Sequence, residues 1–183
     1  MKTKSAKRPA RPITTKPAPD NSAAPIIDLV PSFLRLKKIL VPVDFSDFSA
    51  KAVKYAARFA EQFDAALVLV HFVEPVRYPE SVLIPPEMEE ANRERLKLAR
   101  TALAEFVKKQ VPAGLETETV TRFGHAVDGI TLAAKDLDVD LIVIATHGHT
   151  GLKHLLLGSV AERVVRLAPC PVLTVREREH EFV

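Results

Sequence analysis

Cysteine occurs once in the 183 residues, tryptophan never, and glycine only 6 times. The single thiol, Cys170, excludes an intramolecular disulfide and any zinc site built on thiolates, and a reducing cytoplasm is the expected compartment. Lying between Pro169 and Pro171 beside an apolar run, Cys170 is expected to be buried and inert. No apolar run approaches the roughly 18–20 residues that would span a bilayer, so no membrane partner is expected. The basic N-terminus has no apolar core of the kind a secretory signal needs. Three glycine-bearing motifs are also missing. Without G-K-[ST] there is no Walker A loop, without G-x-G-x-x-G no dinucleotide fingerprint, and without G-x-S-x-G no nucleophile elbow.

Hydrophobic residues nevertheless make up 47% of the chain and charged residues 27%, enough for a core and a wet surface. The net charge of +3 is unevenly spread. Lys2, Lys4, Lys7, Arg8, Arg11 and Lys16 stand against Asp20 alone, so the first 20 residues are strongly basic and the remainder is slightly acidic. No aromatic residue is interleaved with these cations, so the arm reads as a solvated extension and nucleic acid is not an expected partner. Six of the 14 prolines precede residue 32, which removes donors and fixes φ along that stretch. The expected division is a disordered basic arm over 1–33, one domain over 34–178 and a short tail over 179–183.

From Leu36 onward, apolar runs alternate with helical periodicity. "KILVPVD" is a short buried strand ending on Asp44, and the next stretch opens a helix with Ser46 or Asp47 as cap. Val53, Ala56, Ala57 and Ala60 form its inner face. "ALVLVHFVEP" is a second buried strand, followed by a proline-bearing loop and a helix over Glu87–Gln110 that buries Leu96, Ala99, Leu103, Phe106 and Val107. "LETETVTRF" is polar enough for a sheet edge. A helix with Val127, Ile130, Ala134 and Leu137 inward leads to "VDLIVIATHG", the most hydrophobic strand. "SVAERVVRLA" is a helix with Ala161, Val164, Val165 and Ala168 inward, and "CPVLTVRE" is a last short strand. This order predicts an α/β fold: an open five-stranded, mostly parallel sheet with helices on both faces. Such sheets bind ligands outside the carboxyl ends of their strands, which places Asp44, His71, Phe72 and Ala145–Gly148 together.

Three of the six glycines fall within "ATHGHTGLKHLLLGS", residues 145–159. Glycine lets backbone N–H groups approach a phosphate, and a helix N-terminus near Ser159 favours an anion. Gly148 and Gly158–Ser159 are therefore candidate phosphate contacts. Gly151 reads as a turn residue, and Ser159 with Glu162 also forms an S-x-x-E capping box. His147 and His149 are spaced to converge on one ion, but no local carboxylate or cysteine completes a set, so no metal site is expected there. His149 reads instead as a phosphate-facing or hydrogen-bonding side chain. Asp44 has the chemistry for a ribose hydroxyl or Mg²⁺, as well as for capping the helix after it.

With these residues in place the chain resembles the universal stress protein family over about Leu36 to Arg176. The carriers are "KKILVPVDFSDFSAKAVKYA", "LVLVHFVEP" and "IVIATHGHTGLKHLLLGSVAERVVRLAPCPVLTV". Its ATP-binding branch shows G-x2-G-x9-G-[ST]; here the pattern reads A-x2-G-x9-G-S, with Ala145 at the first glycine and Gly148, Gly158 and Ser159 at the rest. The resemblance implies a Rossmann-like subunit related to the adenine nucleotide hydrolases. It also implies a homodimer through the last strand, Pro171–Val175, and ATP with Mg²⁺ as ligand. The adenosine contacts map to Pro42, Val43 and Asp44, and the adenine contact to Phe72, where valine is common. The phosphate contacts map to Ala145, Gly148, His149, Gly158, Ser159 and Val160.

The function expected from this is a cytoplasmic, dimeric, ATP-binding stress regulator that works through conformation or an unknown protein partner. The alternative is a dimeric interaction module of the branch that does not bind nucleotide. No catalytic residue is expected, because no general base or arginine finger stands in the motifs, so any hydrolysis should be slow. Deleting residues 1–31 should leave the thermal unfolding midpoint unchanged. A fall of several degrees in a melting scan would show that "IIDLV" packs on the domain.

Overall fold

The computed structural model describes residues 35–76, 86–147 and 158–176. Gly148, His149 and Gly151, the arm and the last residues lie outside this range. The expected alternation is present. The strands are β1 (Lys38–Pro42), β2 (Ala66–Val73), β3 (Thr117–Phe123), β4 (Leu141–Ala145) and β5 (Val172–Val175). The helices between them are α1 (Asp47–Phe63), α2 (Pro86–Gln110), α3 (Ala126–Asp136) and α4 (Ser159–Leu167). All strand pairs are parallel, in the order β3-β2-β1-β4-β5. Among the described residues no helix is long and apolar enough to cross a membrane.

Strand alternation sorts the core into two layers. Ile39, Val41, Leu67, Leu69 and Val143 pack with α1 and Leu103 of α2, whereas Leu40, Val68, Val70, Ile142 and Ile144 pack with α3 and α4. Both faces of the central strands are covered, which is why those strands read as continuous apolar runs. The expected inner face of α1 is fully buried, and its alanines let the helix lie close to the sheet. β3 carries its polar residues on the sheet edge, paired among the described residues with β2 alone.

Two expectations for α4 need correction. Ala161 and Val164 are buried and Ala168 packs against the second layer, but Val165 is 47% exposed. Residues spaced three and seven apart already supply the buried stripe of this nine-residue helix, and Val165 falls on its flank. The cap is Gly158 rather than Ser159, and a glycine supplies no side-chain cap bond. Glu162 does not reach back to complete a capping box; its carboxylate pairs with Arg166 at 2.8 Å.

The sheet start is clipped by one carboxylate. Asp140 Oδ2 accepts from the backbone N–H of Lys37 (2.7 Å) and of Lys38 (2.9 Å). Its own N–H donates to the Lys38 carbonyl at 3.0 Å. These bonds fix the register of β1 and β4 at the start of the sheet. Asp140→Ala should cost about 1–2 kcal/mol, read as a fall of about 3–6 °C in the thermal midpoint. An unchanged midpoint would show that water replaces the carboxylate without loss.

Candidate functional site

β1 has β2 on one side and β4 on the other, so the chain reverses its direction of travel across the sheet at β1. A crevice opens beyond the carboxyl ends of β1 and β4, as this topology requires. It holds a cavity of about 260 Å³.

The β1 wall is built by a tight turn. Val43 donates its N–H to the Val70 carbonyl at 2.8 Å, and the Val43 carbonyl lies 2.8 Å from His71 Nδ1. Asp44 Oδ1 accepts from the Ser46 N–H (3.0 Å) and from Ser46 Oγ (2.6 Å), and Ser46 Oγ in turn caps α1 by accepting from the Ser49 N–H at 3.2 Å. Between them Phe45 adopts φ of 65°, the left-handed region that side chains avoid. Its ring holds the turn from outside, 4.5 Å from the His71 ring and 5.8 Å from that of Phe106 on α2. By sequence, Asp44 is both a ligand group and a helix cap. The structure shows its carboxylate organising the cap through Ser46 while it also borders the cavity.

The β4 wall closes through a backbone contact. Thr146, 1% exposed, donates its N–H to the Val175 carbonyl at 2.9 Å and accepts the Gly158 N–H at 2.7 Å. A Cβ on Gly158 would sit 2.7 Å from that same Thr146 oxygen, so only glycine permits the approach. Residues 147 and 158 are thus held side by side, and the first turn of α4 forms part of the cavity wall. With glycine as cap, that turn meets no side-chain acceptor of its own. Thr146 Oγ1 lies 3.0 Å from His147 Nδ1, and the His147 ring is 5.8 Å from that of Phe48.

Of the residues expected at the site, Pro42, Val43, Asp44, Phe72, Ala145, Gly158, Ser159 and Val160 all border this one cavity. Gly148 and His149 lie outside the described residues. Thr146 and His147, inside the stretch Ala145–Gly148 that the sequence places at the strand ends, border it as well, as does His71. Ser49, Ala126 and Ile130 border it too and are not singled out for it by the sequence. Ala126 and Ile130 arrive through the packing of α3 on β2, which no local pattern reveals. The polar lining residues Asp44, Ser49, Thr146 and Ser159 come from α1, α4 and the ends of β1 and β4, whereas β2 and α3 contribute the apolar Val70, Phe72, Ala126 and Ile130.

Cys170 stands apart from the cavity and is half-buried, less enclosed than its flanking prolines implied. Burial pushes its thiol above the ordinary value, and the Asp140 carboxylate adds to the rise. The thiolate is therefore disfavoured at neutral pH.

A family-level sequence model described as "Universal stress protein family" matches residues 35–176. Universal stress protein MJ0531 of Methanocaldococcus jannaschii is 36% identical over 151 residues, covering 79% of this chain and 85% of that protein. The solved universal stress protein UspA from Lactobacillus plantarum is 29% identical, with a TM-score of 0.64 over 78% of this chain and 99% of that one. A universal stress protein solved in complex with cAMP shares the fold at 24% identity and a TM-score of 0.55, over 78% of this chain and 98% of that one. The cavity thus sits in a fold, and among sequence relatives, of one kind: this chain belongs to the universal stress protein family.

Proposed function

We propose that this protein is a nucleotide-binding regulator that takes ATP in the crevice between β1 and β4. One observation carries the reading: a single cavity is lined by apolar residues of β2 and α3 and also by Asp44 and the first turn of α4. A planar base suits the apolar residues, and a helix start without a side-chain cap suits phosphate oxygens. Asp44 is the carboxylate we assign to Mg²⁺ beside those phosphates, since Mg²⁺ is commonly bound by one or two carboxylates plus substrate oxygens. The fold's occupancy by cAMP in a related structure is compatible with a ligand of this class. Conformation or partner binding, rather than turnover, is the output we assign, because no general base or arginine finger accompanies the motif. The edge strand β5, with Pro171–Val175, is the surface we assign to a homodimer, since among the described residues only one of its sides pairs within the sheet.

Ala145 at the first motif glycine favours a second reading, a dimeric interaction module without nucleotide. Calorimetric titration of nucleotide-free protein with ATP and Mg²⁺ separates the two. The wild type should bind, and Asp44→Ala and Gly158→Val should each weaken binding at least tenfold, with circular dichroism confirming that the variants fold. No heat at millimolar ATP would exclude the nucleotide reading and leave the interaction module.

A further inference from the structure

Glycine inside a helix is disfavoured relative to alanine, because it loses more backbone freedom and contributes no packing. α3 carries one at its fourth position, Gly129, within an 11-residue helix. Its environment supplies the reason. A Cβ added there would lie 2.4 Å from Cδ1 and Cε1 of Phe72 and 2.8 Å from Cζ. Real Cβ contacts are essentially never that close, so the Phe72 ring occupies the space that any other residue at 129 would fill. The same ring borders the cavity, as do Ala126 and Ile130, the neighbours of Gly129 on α3.

We infer that Gly129 is a positioning residue that shapes the apolar lining of the cavity by seating the Phe72 ring on the backbone of α3. This inference rests on the nucleotide reading and sharpens it. With the ring reclined on Gly129, Phe72 forms an aromatic wall and leaves the space in front of it open to a planar, uncharged heterocycle. With any side chain at 129, the ring must move by about 1 Å to reach ordinary contact at 3.4 Å. Because the same ring borders the cavity, its displacement changes the wall that the base would meet. Phe72 and Gly129 therefore act as a size-matched pair, and the large residue on β2 is tolerated because the small one on α3 makes room.

The test is a four-protein cycle: wild type, Gly129→Ala, Phe72→Val and the double variant, each titrated with ATP and Mg²⁺ and each melted thermally. Gly129→Ala should weaken ATP binding about tenfold or more when Phe72 is present, and by less than about twofold beside Phe72→Val. It should also lower the melting midpoint in the first background and raise it in the second, where alanine's helix preference is no longer opposed. Equal affinity of wild type and Gly129→Ala would overturn the inference while leaving the nucleotide reading intact. So would a loss of binding or of folding that Phe72→Val does not rescue. Absence of ATP binding by a well-folded wild type would overturn the nucleotide reading and this use of Gly129 with it, and the melting midpoints would still show whether the seat exists.

Discussion

The structure depends on the complete burial of the centre of β1. Ile39, Leu40 and Val41 are each 0% exposed, because the strand is covered on both faces and paired on both edges. Ile39 and Val41 face the α1 and α2 layer, and Leu40 faces the α3 and α4 layer. Fully burying three such side chains contributes about 1.5–3 kcal/mol each. A strand enclosed in this way reaches solvent only beyond its ends. The cavity therefore opens where β1 stops, at Pro42–Asp44, and β4 stops beside it, at Ala145–Thr146.

Local strain and close contacts hold this opening in shape. Phe45 accepts a left-handed backbone to turn the chain from β1 into α1, a conformation that costs about 1–2 kcal/mol for a residue with a side chain. Its ring offsets that cost by packing on His71 and Phe106. On the other wall, Gly158 approaches the Thr146 carbonyl at 2.7 Å, while Thr146 is tied to Val175 of β5. The start of α4, the end of β4 and the edge strand thus share one residue, Thr146. A ligand that moved α4 would pull on the strand we assign to the dimer.

The order and type of every element were legible, because buried parallel strands are unbroken apolar runs and each helix shows its stripe at helical spacing. "LETETVTRF" was legible as an edge from its polarity alone. The cap of α4 was not. Ser159 and Glu162 satisfy a local capping rule, but a carbonyl twelve residues away claims the Gly158 N–H and makes glycine the cap. Val165 was misread for a related reason: its spacing fits an inner face, yet Ala161, Val164 and Ala168 already complete the stripe. The pairing of Phe72 with Gly129 joins positions 57 residues apart and leaves no trace in either local pattern. Sequence drew attention to Phe72 as a bulky departure, and the structure supplies the glycine that accommodates it.

The central claim is that ATP occupies the crevice between β1 and β4, with its base toward Phe72 and its phosphates toward α4. Amide chemical-shift mapping of the ¹⁵N-labelled protein during titration with ATP and Mg²⁺ tests this most directly. The account predicts saturable shifts gathered at Val43–Asp44, Phe72, Thr146–His147 and Gly158–Val160. Shifts confined to residues remote from the cavity, such as Lys51, Lys54 and Arg58 on α1, or none at millimolar ATP, would contradict it.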